Sequence, residues 1–112
     1  MKQGSILKID FTPTEGHEQS GYRPALVISC SLFNKLTELA LVCPITNTKR
    51  NNLLHVALPD CIEATGYVMT EQVRVFDLQA RKYRIIDRVP KETMEEVSQF
   101  LKASVSVDDD YD

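Results

Sequence analysis

Three stretches of this 112-residue chain gather side chains that can grip and act on a phosphate. In the first, a polar loop holds His17, Glu18 and Gln19, turns at Gly21, and delivers Arg23 at the mouth of the apolar run Ala25-Leu26-Val27-Ile28. A guanidinium mounted on a rigid strand end is a permanently charged, planar donor suited to phosphate oxygens. His17 titrates near neutral pH and can act as a general acid. In the second stretch, Cys43 to Arg50, Thr46 follows a buried strand, where its hydroxyl can donate to a phosphate oxygen. Asn47 and Lys49 continue it as a polar, basic loop. In the third, Gly66 to Asp77, a strand carries Glu71, Gln72 and Arg74. His55 alternates with Leu54 and Val56 on a further strand. It reads most simply as a solvent-facing imidazole, and more sharply as one that stacks on a nucleobase. Each residue also has a plainer role: Arg23 as a surface arginine paired with Glu18, Thr46 as a strand-end turn residue, Arg74 as ordinary surface.

The elements that must hold these groups are legible from hydrophobic period. Ser5 to Phe11 alternates, with Leu7, Ile9 and Phe11 on one face, and predicts a half-buried strand. Thr12 to Gly21, punctuated by Pro13, Gly16 and Gly21, predicts a long polar loop between strands, a common place for chemistry. Pro24 opens a central strand at the tolerated position. Ser31 to Asn34 predicts one helical turn capped by Ser31, and Leu39 to Val42 a short buried strand ended by Pro44. Leu53 to Leu58, Tyr67 to Phe76 and Lys82 to Val89 predict further strands. The period then changes. Pro90 suits a first helical position, Glu92 the positive end of the dipole, and Met94, Val97, Leu101 and Val105 one face of a helix of about four turns. The expected fold is mainly β with a C-terminal helix: a small, curled β-barrel with the helix packed on it.

Composition suits one domain, residues 1–107, followed by an acidic tail, 108–112, expected to be disordered. No stretch approaches the roughly 18 apolar residues of a membrane span, and the N-terminus lacks a signal peptide's apolar region, so a cytoplasmic protein is expected. Cys30, Cys43 and Cys61 are odd in number and form no CxxC pair. Neither a disulfide framework nor a zinc site is indicated, and the thiols are expected in or near the core. The net charge of −3 argues against a nucleic-acid partner, yet the tail Asp108-Asp109-Asp110-Tyr111-Asp112 holds four carboxylates, and setting these aside leaves the body at +1. Such a body can carry a local basic groove, with Lys49-Arg50, Arg74, Arg81-Lys82 and Arg84 as candidate walls.

Taken in order, these blocks resemble the MazF/PemK toxin family. The resemblance rests on Gly4 through Pro24, with its Glu18-Gln19-x-Gly21-x-Arg23-Pro24 core, and on Phe33-Asn34, Pro44-Ile45-Thr46 and Glu71-Gln72-Val73-Arg74. It covers residues 4 to 106. It implies an SH3-like barrel of the CcdB/Kid type with a C-terminal helix, acting as a homodimer. It further implies cleavage of single-stranded RNA at short motifs with no metal or cofactor, restrained by a cognate antitoxin whose extended tail fills the RNA groove.

RNA supplies its own nucleophile, the 2′-OH, which attacks the neighbouring phosphorus. A catalyst must add a base for that hydroxyl, a cation for the phosphorane charge and an acid for the 5′-oxygen. The ends are then a 2′,3′-cyclic phosphate and a 5′-OH. By resemblance, Glu18, Arg23 and Thr46 match the functional positions: Arg23 for transition-state charge, Thr46 for hydrogen bonding at the phosphate, and Glu18 as base or as a group that orients Arg23. His17, Gln19, Asn47, Lys49, His55, Glu71, Gln72 and Arg74 are further candidates for catalysis or RNA contact. One departure stands out. Some members place an arginine and an aspartate, with acid and base roles, where this chain has Met69 and Glu71. Met69 can do neither job, while Glu71 retains a carboxylate. The competing readings are a non-catalytic, CcdB-like topoisomerase poison on the same barrel, in which the C-terminal helix carries the contact, and an inert RNA-binding barrel. The Glu18-to-Pro24 loop favours catalysis.

Overall fold

The computed structural model describes residues 1–10, 22–49 and 53–112. His17, Glu18, Gln19 and Arg50 lie outside the described residues. Strand β1 (Ser5–Asp10) and strand β2 (Tyr22–Val27) pair antiparallel, with Leu7 opposite Ala25 and Ile9 opposite Arg23. Helix α1 (Ser31–Thr37) leads to the central strand β3 (Leu39–Thr46). There follow β4 (His55–Ala57), β5 (Tyr67–Met69), β6 (Arg74–Asp77), β7 (Tyr83–Arg88) and helix α2 (Lys91–Ser104). The strands run β4-β5-β3-β2-β1-β7, with β6 also paired to β3. This is the expected mainly antiparallel sheet with a C-terminal helix. Its two end strands are not bonded to each other among the described residues. Asp87 of β7 ties the open side to the segment after β4, its carboxylate accepting from the backbone N–H of Glu63 (2.9 Å) and Ala64 (3.2 Å).

Both faces of the sheet are apolar, which explains why β2 and β3 read as continuous hydrophobic runs. One face collects Ile6, Leu26, Cys43, Ile45, Val56 and Val68, and α2 covers it with Val97, Met94 and Leu101. The other collects Leu7, Ile9, Ala25, Val27, Val42 and Phe76, with Tyr83 packed edge-on to Phe76 at 5.8 Å. No helix among the described residues is long and apolar enough to cross a membrane.

Several expectations are corrected. Strand β3 does not stop before Pro44 but runs through it to Thr46. Pro44 falls where the neighbour on one edge changes from β6, which pairs as far as Val42, to β5, which pairs from Ile45, so the missing N–H interrupts no continuous ladder. Ser31 is inside α1, which has two turns rather than one. Cys30 is the N-cap and makes no side-chain cap bond. Pro90 is likewise the N-cap of α2 rather than its first residue, and Val105, expected on the helix's apolar face, ends the helix and is 81% exposed. Only Cys43 is buried; Cys30 and Cys61 are exposed.

The strand expected over Tyr67–Phe76 is interrupted. From Ile45↔Val68 to Val42↔Arg74, three steps along β3 match six along its partner. The surplus forms a wide bulge at Thr70–Val73, pinned by the Gln72 N–H to the Met69 carbonyl (3.1 Å) and by the Thr70 hydroxyl to the Leu54 carbonyl (2.5 Å). Between this bulge and the end of α2 lies an open apolar groove of about 620 Å³, lined by Leu41, Leu54, Val73, Leu101 and Val105 among others.

Candidate functional site

The two described candidates for phosphate chemistry, Arg23 and Thr46, lie just beyond the paired ends of neighbouring strands. Strands β2 and β3 pair Val27↔Val42, Leu26↔Cys43 and Ala25↔Pro44. Carried on by two residues, the same register sets Arg23 opposite Thr46. Thr46 in turn pairs with Tyr67, and Tyr67 with Ala57. Directly opposed residues share a face, and Ile45, Val68 and Val56 of the adjoining row point into the barrel core. Thr46, Tyr67 and Ala57 therefore form one row on the face away from α2, the face that Arg23 shares with Ile9 and Ala25. With strands spaced about 4.8 Å apart, a guanidinium and a hydroxyl on neighbouring strands can reach one phosphate. Arg23 is exposed and Thr46 half-buried.

Local bonds fix the loop end of this row. The Thr46 hydroxyl oxygen accepts from the Thr48 N–H at 3.2 Å. The turn role of Thr46 is thus real, but a hydroxyl that accepts still has its proton to donate. Asn47 Oδ1 accepts from the Thr65 hydroxyl at 3.0 Å, holding the two loops together, and Lys49 is exposed beyond it. Gly66, at φ +121°, lies so close under Thr46 that a Cβ there would sit 2.5 Å from the Thr46 carbonyl oxygen. Only glycine permits both this backbone conformation and this approach.

The next outward row holds Met69 opposite His55. The expectation of a solvent-facing His55 is corrected. Its side chain is 3% exposed, and Nε2 lies 3.0 Å from Oε2 of Glu71, whose side chain is 30% exposed. Buried as it is, this imidazole does not offer a stacking surface to a base. The reason is the bulge: Glu71 lies not on a strand, as expected, but on the Thr70–Val73 excursion, which brings its carboxylate to β4. Burial tends to raise the Glu71 carboxyl, but hydrogen bonds from His55, from its own backbone N–H and from Gln72 outweigh that and hold it below its usual range. Burial, and then the Glu71 charge, push the Cys43 thiol up to about 12, so it is neither a thiolate nor a nucleophile near neutral pH. Arg74, exposed on β6 opposite Val42, stands on the same outward face but four residues along β3 from Thr46. Among the described residues, no three His, Cys, Asp or Glu side chains cluster as a metal would need.

Two features were not read from the sequence. Tyr67 stands in the site row, and counting by twos from the buried Val68 would have placed its neighbours outward. Asn34, 2% exposed, is a structural tie rather than a surface residue. Its side chain bonds the Ser29 hydroxyl and donates to the carbonyls of Met1 and Ser29, both at 3.2 Å, while the Leu41 N–H donates to the Ser29 hydroxyl at 2.9 Å. The N-terminus, the end of β2 and the start of β3 are thereby locked together.

Comparison with known proteins gives a consistent answer. The family model described as PemK-like, MazF-like toxin of type II toxin-antitoxin systems matches residues 2–105. Endoribonuclease PemK of Escherichia coli is 39% identical over 101 residues, covering 87% of this chain and 76% of its own. Endoribonuclease toxin ChpB of E. coli strain K12 is 41% identical over 110 residues, covering 93% of each. Among solved structures, MazF from Deinococcus radiodurans superposes with a TM-score of 0.80 at 31% identity, covering 96% of this chain and 97% of its own. A MazE–MazF structure from that organism gives 0.85 at 28%, covering 96% and 98%.

Proposed function

Because the chain belongs to the PemK-like, MazF-like toxin family of type II toxin–antitoxin systems, we propose that it is an endoribonuclease toxin that cuts single-stranded RNA without a metal ion. What supports this reading is the β2–β3 register: extended two residues beyond its last pair, Ala25↔Pro44, it faces Arg23 toward Thr46. The scissile phosphate lies over that pair. The Arg23 guanidinium neutralises charge that builds on the phosphorane oxygens as the ribose 2′-OH attacks, and the Thr46 hydroxyl donates to one of them. Glu18, five residues before Arg23 in the sequence, takes the 2′-OH proton or orients Arg23. The P–O5′ bond breaks as the leaving oxygen gains a proton, for which His17 is a candidate donor. The products are a 2′,3′-cyclic phosphate and a 5′-OH. Gln19, Asn47, Lys49, Gln72 and Arg74 contact the strand to either side.

The partner that restrains this toxin is a cognate antitoxin with an extended segment that occupies the same face. Solved relatives include MazE–MazF complexes. The active unit is a homodimer. The groove between the bulge and α2, with Val73 45% and Val105 81% exposed, and Val75 of β6 at 66%, supports a second copy burying these side chains.

The test is to incubate purified protein with a long RNA in excess EDTA and to map the ends. Discrete fragments with cyclic-phosphate and 5′-OH termini are expected. A folded protein that cuts no RNA under any condition overturns the reading in favour of a binding-only toxin, and cleavage that EDTA abolishes overturns its metal independence.

A further inference from the structure

Residues 58–66, which connect β4 to β5, are pinned from three sides. The Leu58 N–H donates to the Gly66 carbonyl (2.9 Å) and closes the loop on itself. The Thr65 hydroxyl donates to Asn47 Oδ1 (3.0 Å), and the Asp87 carboxylate of β7 accepts from the N–H groups of Glu63 and Ala64. The loop so held borders a cavity of about 410 Å³, walled by Asn47, Pro59, Asp60, Ile62 and Tyr67 among others. A preformed hollow of mostly apolar lining with a few polar groups is the usual form of a small-ligand site.

Its position ties it to the phosphate residues. Gly66 ends the loop directly under Thr46, and Tyr67 is the strand partner of Thr46. Tyr67 and Ala57 belong both to the row of Thr46, on the face away from α2, and to the cavity wall. With strands about 4.8 Å apart, that wall begins one strand from Thr46. A phosphate held at Thr46 therefore leaves the base of an adjoining nucleotide within reach of it. The chemistry of the wall is selective. Among the described residues no lysine or arginine lines the cavity, whereas Asp60 does, so it repels a second phosphate and suits a neutral planar group. The half-buried Tyr67 ring supplies a stacking face. The bond from Thr65 orients the Asn47 amide through Oδ1, so that Nδ2 is the donor it offers, and the Asp60 carboxylate adds an acceptor.

We propose that this cavity is a base-recognition subsite: the base of a nucleotide next to the scissile phosphate stacks on Tyr67, while Asn47 donates to its edge and Asp60 accepts from it. This deepens the ribonuclease reading and rests on it. Single-stranded RNA is recognised by such means, its splayed bases stacked on aromatic rings and hydrogen-bonded along their edges. Stacking supplies affinity for any base, and the donor and acceptor on the wall supply the discrimination between them.

The experiment first maps the wild-type cleavage site on a long transcript. It then uses a short RNA carrying that site with a 2′-deoxyribose at the cut, which binds but lacks the attacking hydroxyl. Fluorescence anisotropy gives the affinity of wild type, Tyr67→Leu, Tyr67→Phe and Asn47→Ala, with folding established by thermal melts, for this RNA and for versions lacking one base. Removing one base beside the cut is expected to weaken wild-type binding roughly 5- to 150-fold, the range for a base stacked on an aromatic ring. Tyr67→Leu should bind the intact RNA more weakly by a similar factor and lose little more when that base is removed. Tyr67→Phe, which keeps the ring, should bind like wild type. On the cleavable transcript, Tyr67→Leu should raise KM with little change in kcat, and Asn47→Ala should relax the base preference at that one position. If Tyr67→Leu fails to fold, the coupling of Asn47→Ala to the same missing base carries the test. A folded Tyr67→Leu protein with wild-type affinity, or one whose deficit adds in full to the loss of every base, would overturn the proposal while leaving the ribonuclease reading intact. Wild-type protein that cuts nothing would overturn both.

Discussion

At the scale of single residues, position 23 carries most weight. Arg23 is exposed near the end of β2, two residues beyond its last pair with β3, so its removal should spare the fold and strike the chemistry. Arg23→Ala is expected to lower kcat about 10²- to 10³-fold, the range for losing one pre-organised donor to a developing oxyanion, with an unchanged circular dichroism spectrum. Full activity in a folded Arg23→Ala protein would refute the assignment. Thr46 offers a finer test: Thr46→Ser keeps the hydroxyl and should retain most activity, whereas the near-isosteric Thr46→Val should lose it, as single-turnover rates would show. Glu71 yields a prediction in pH. Its folded carboxyl lies below the ordinary 4.5, so the hydrogen bonds its carboxylate accepts stabilise the protein above that value and are lost as pH falls through the lowered one. Glu71→Gln should therefore flatten the fall of Tm on acidification below about pH 5. A parallel fall in both proteins would contradict it.

At the scale of elements, the bulge and the glycine beneath Thr46 decide where these residues stand. Without the three extra residues at Thr70–Val73, β5 and β6 would be one strand, and Glu71 would be fixed by the ladder rather than free to reach β4. Gly66 acts on the other loop. A side chain there meets the Thr46 carbonyl at 2.5 Å in a backbone conformation of φ +121°. Gly66→Ala is expected to cost about 1–3 kcal/mol and, by shifting Thr46, to reduce cleavage beyond what the stability loss explains. Urea melts read alongside kcat at low temperature would separate the two effects. An unaltered denaturation midpoint would show that the loop relaxes at no cost.

At the scale of the whole molecule, the distribution of charge and apolar surface matters more than the totals. A net charge of −3 conceals a body near +1 once the four tail carboxylates are set aside. The apolar faces of the sheet are filled from within the chain, but Val73 and Val105 remain exposed along one groove, and Val75 is exposed on β6. If a second copy buries them, Val75→Lys combined with Val73→Lys should yield a monomer by analytical ultracentrifugation, with most cleavage lost. A dimer that survives both substitutions would move the interface elsewhere.

What the sequence by itself determined is what depends on local period and residue chemistry: the strands and terminal helix, the apolar set that must be inside, and the arginine and threonine suited to a phosphate. Alternation of side chains is a property of each strand alone, so Leu7, Ile9, Val56 and Val97 were recognisable as core. The tertiary structure alone decided what depends on pairing between distant segments. Register between β2 and β3 aligns the strand ends that carry Arg23 and Thr46, and nothing local to either residue encodes it. A change of partner along β3 lets the strand continue through Pro44, and the surplus opposite it makes the bulge. The burial of His55 follows from that bulge. One histidine between two apolar residues reads as outward and wet until another strand delivers a carboxylate to cover it.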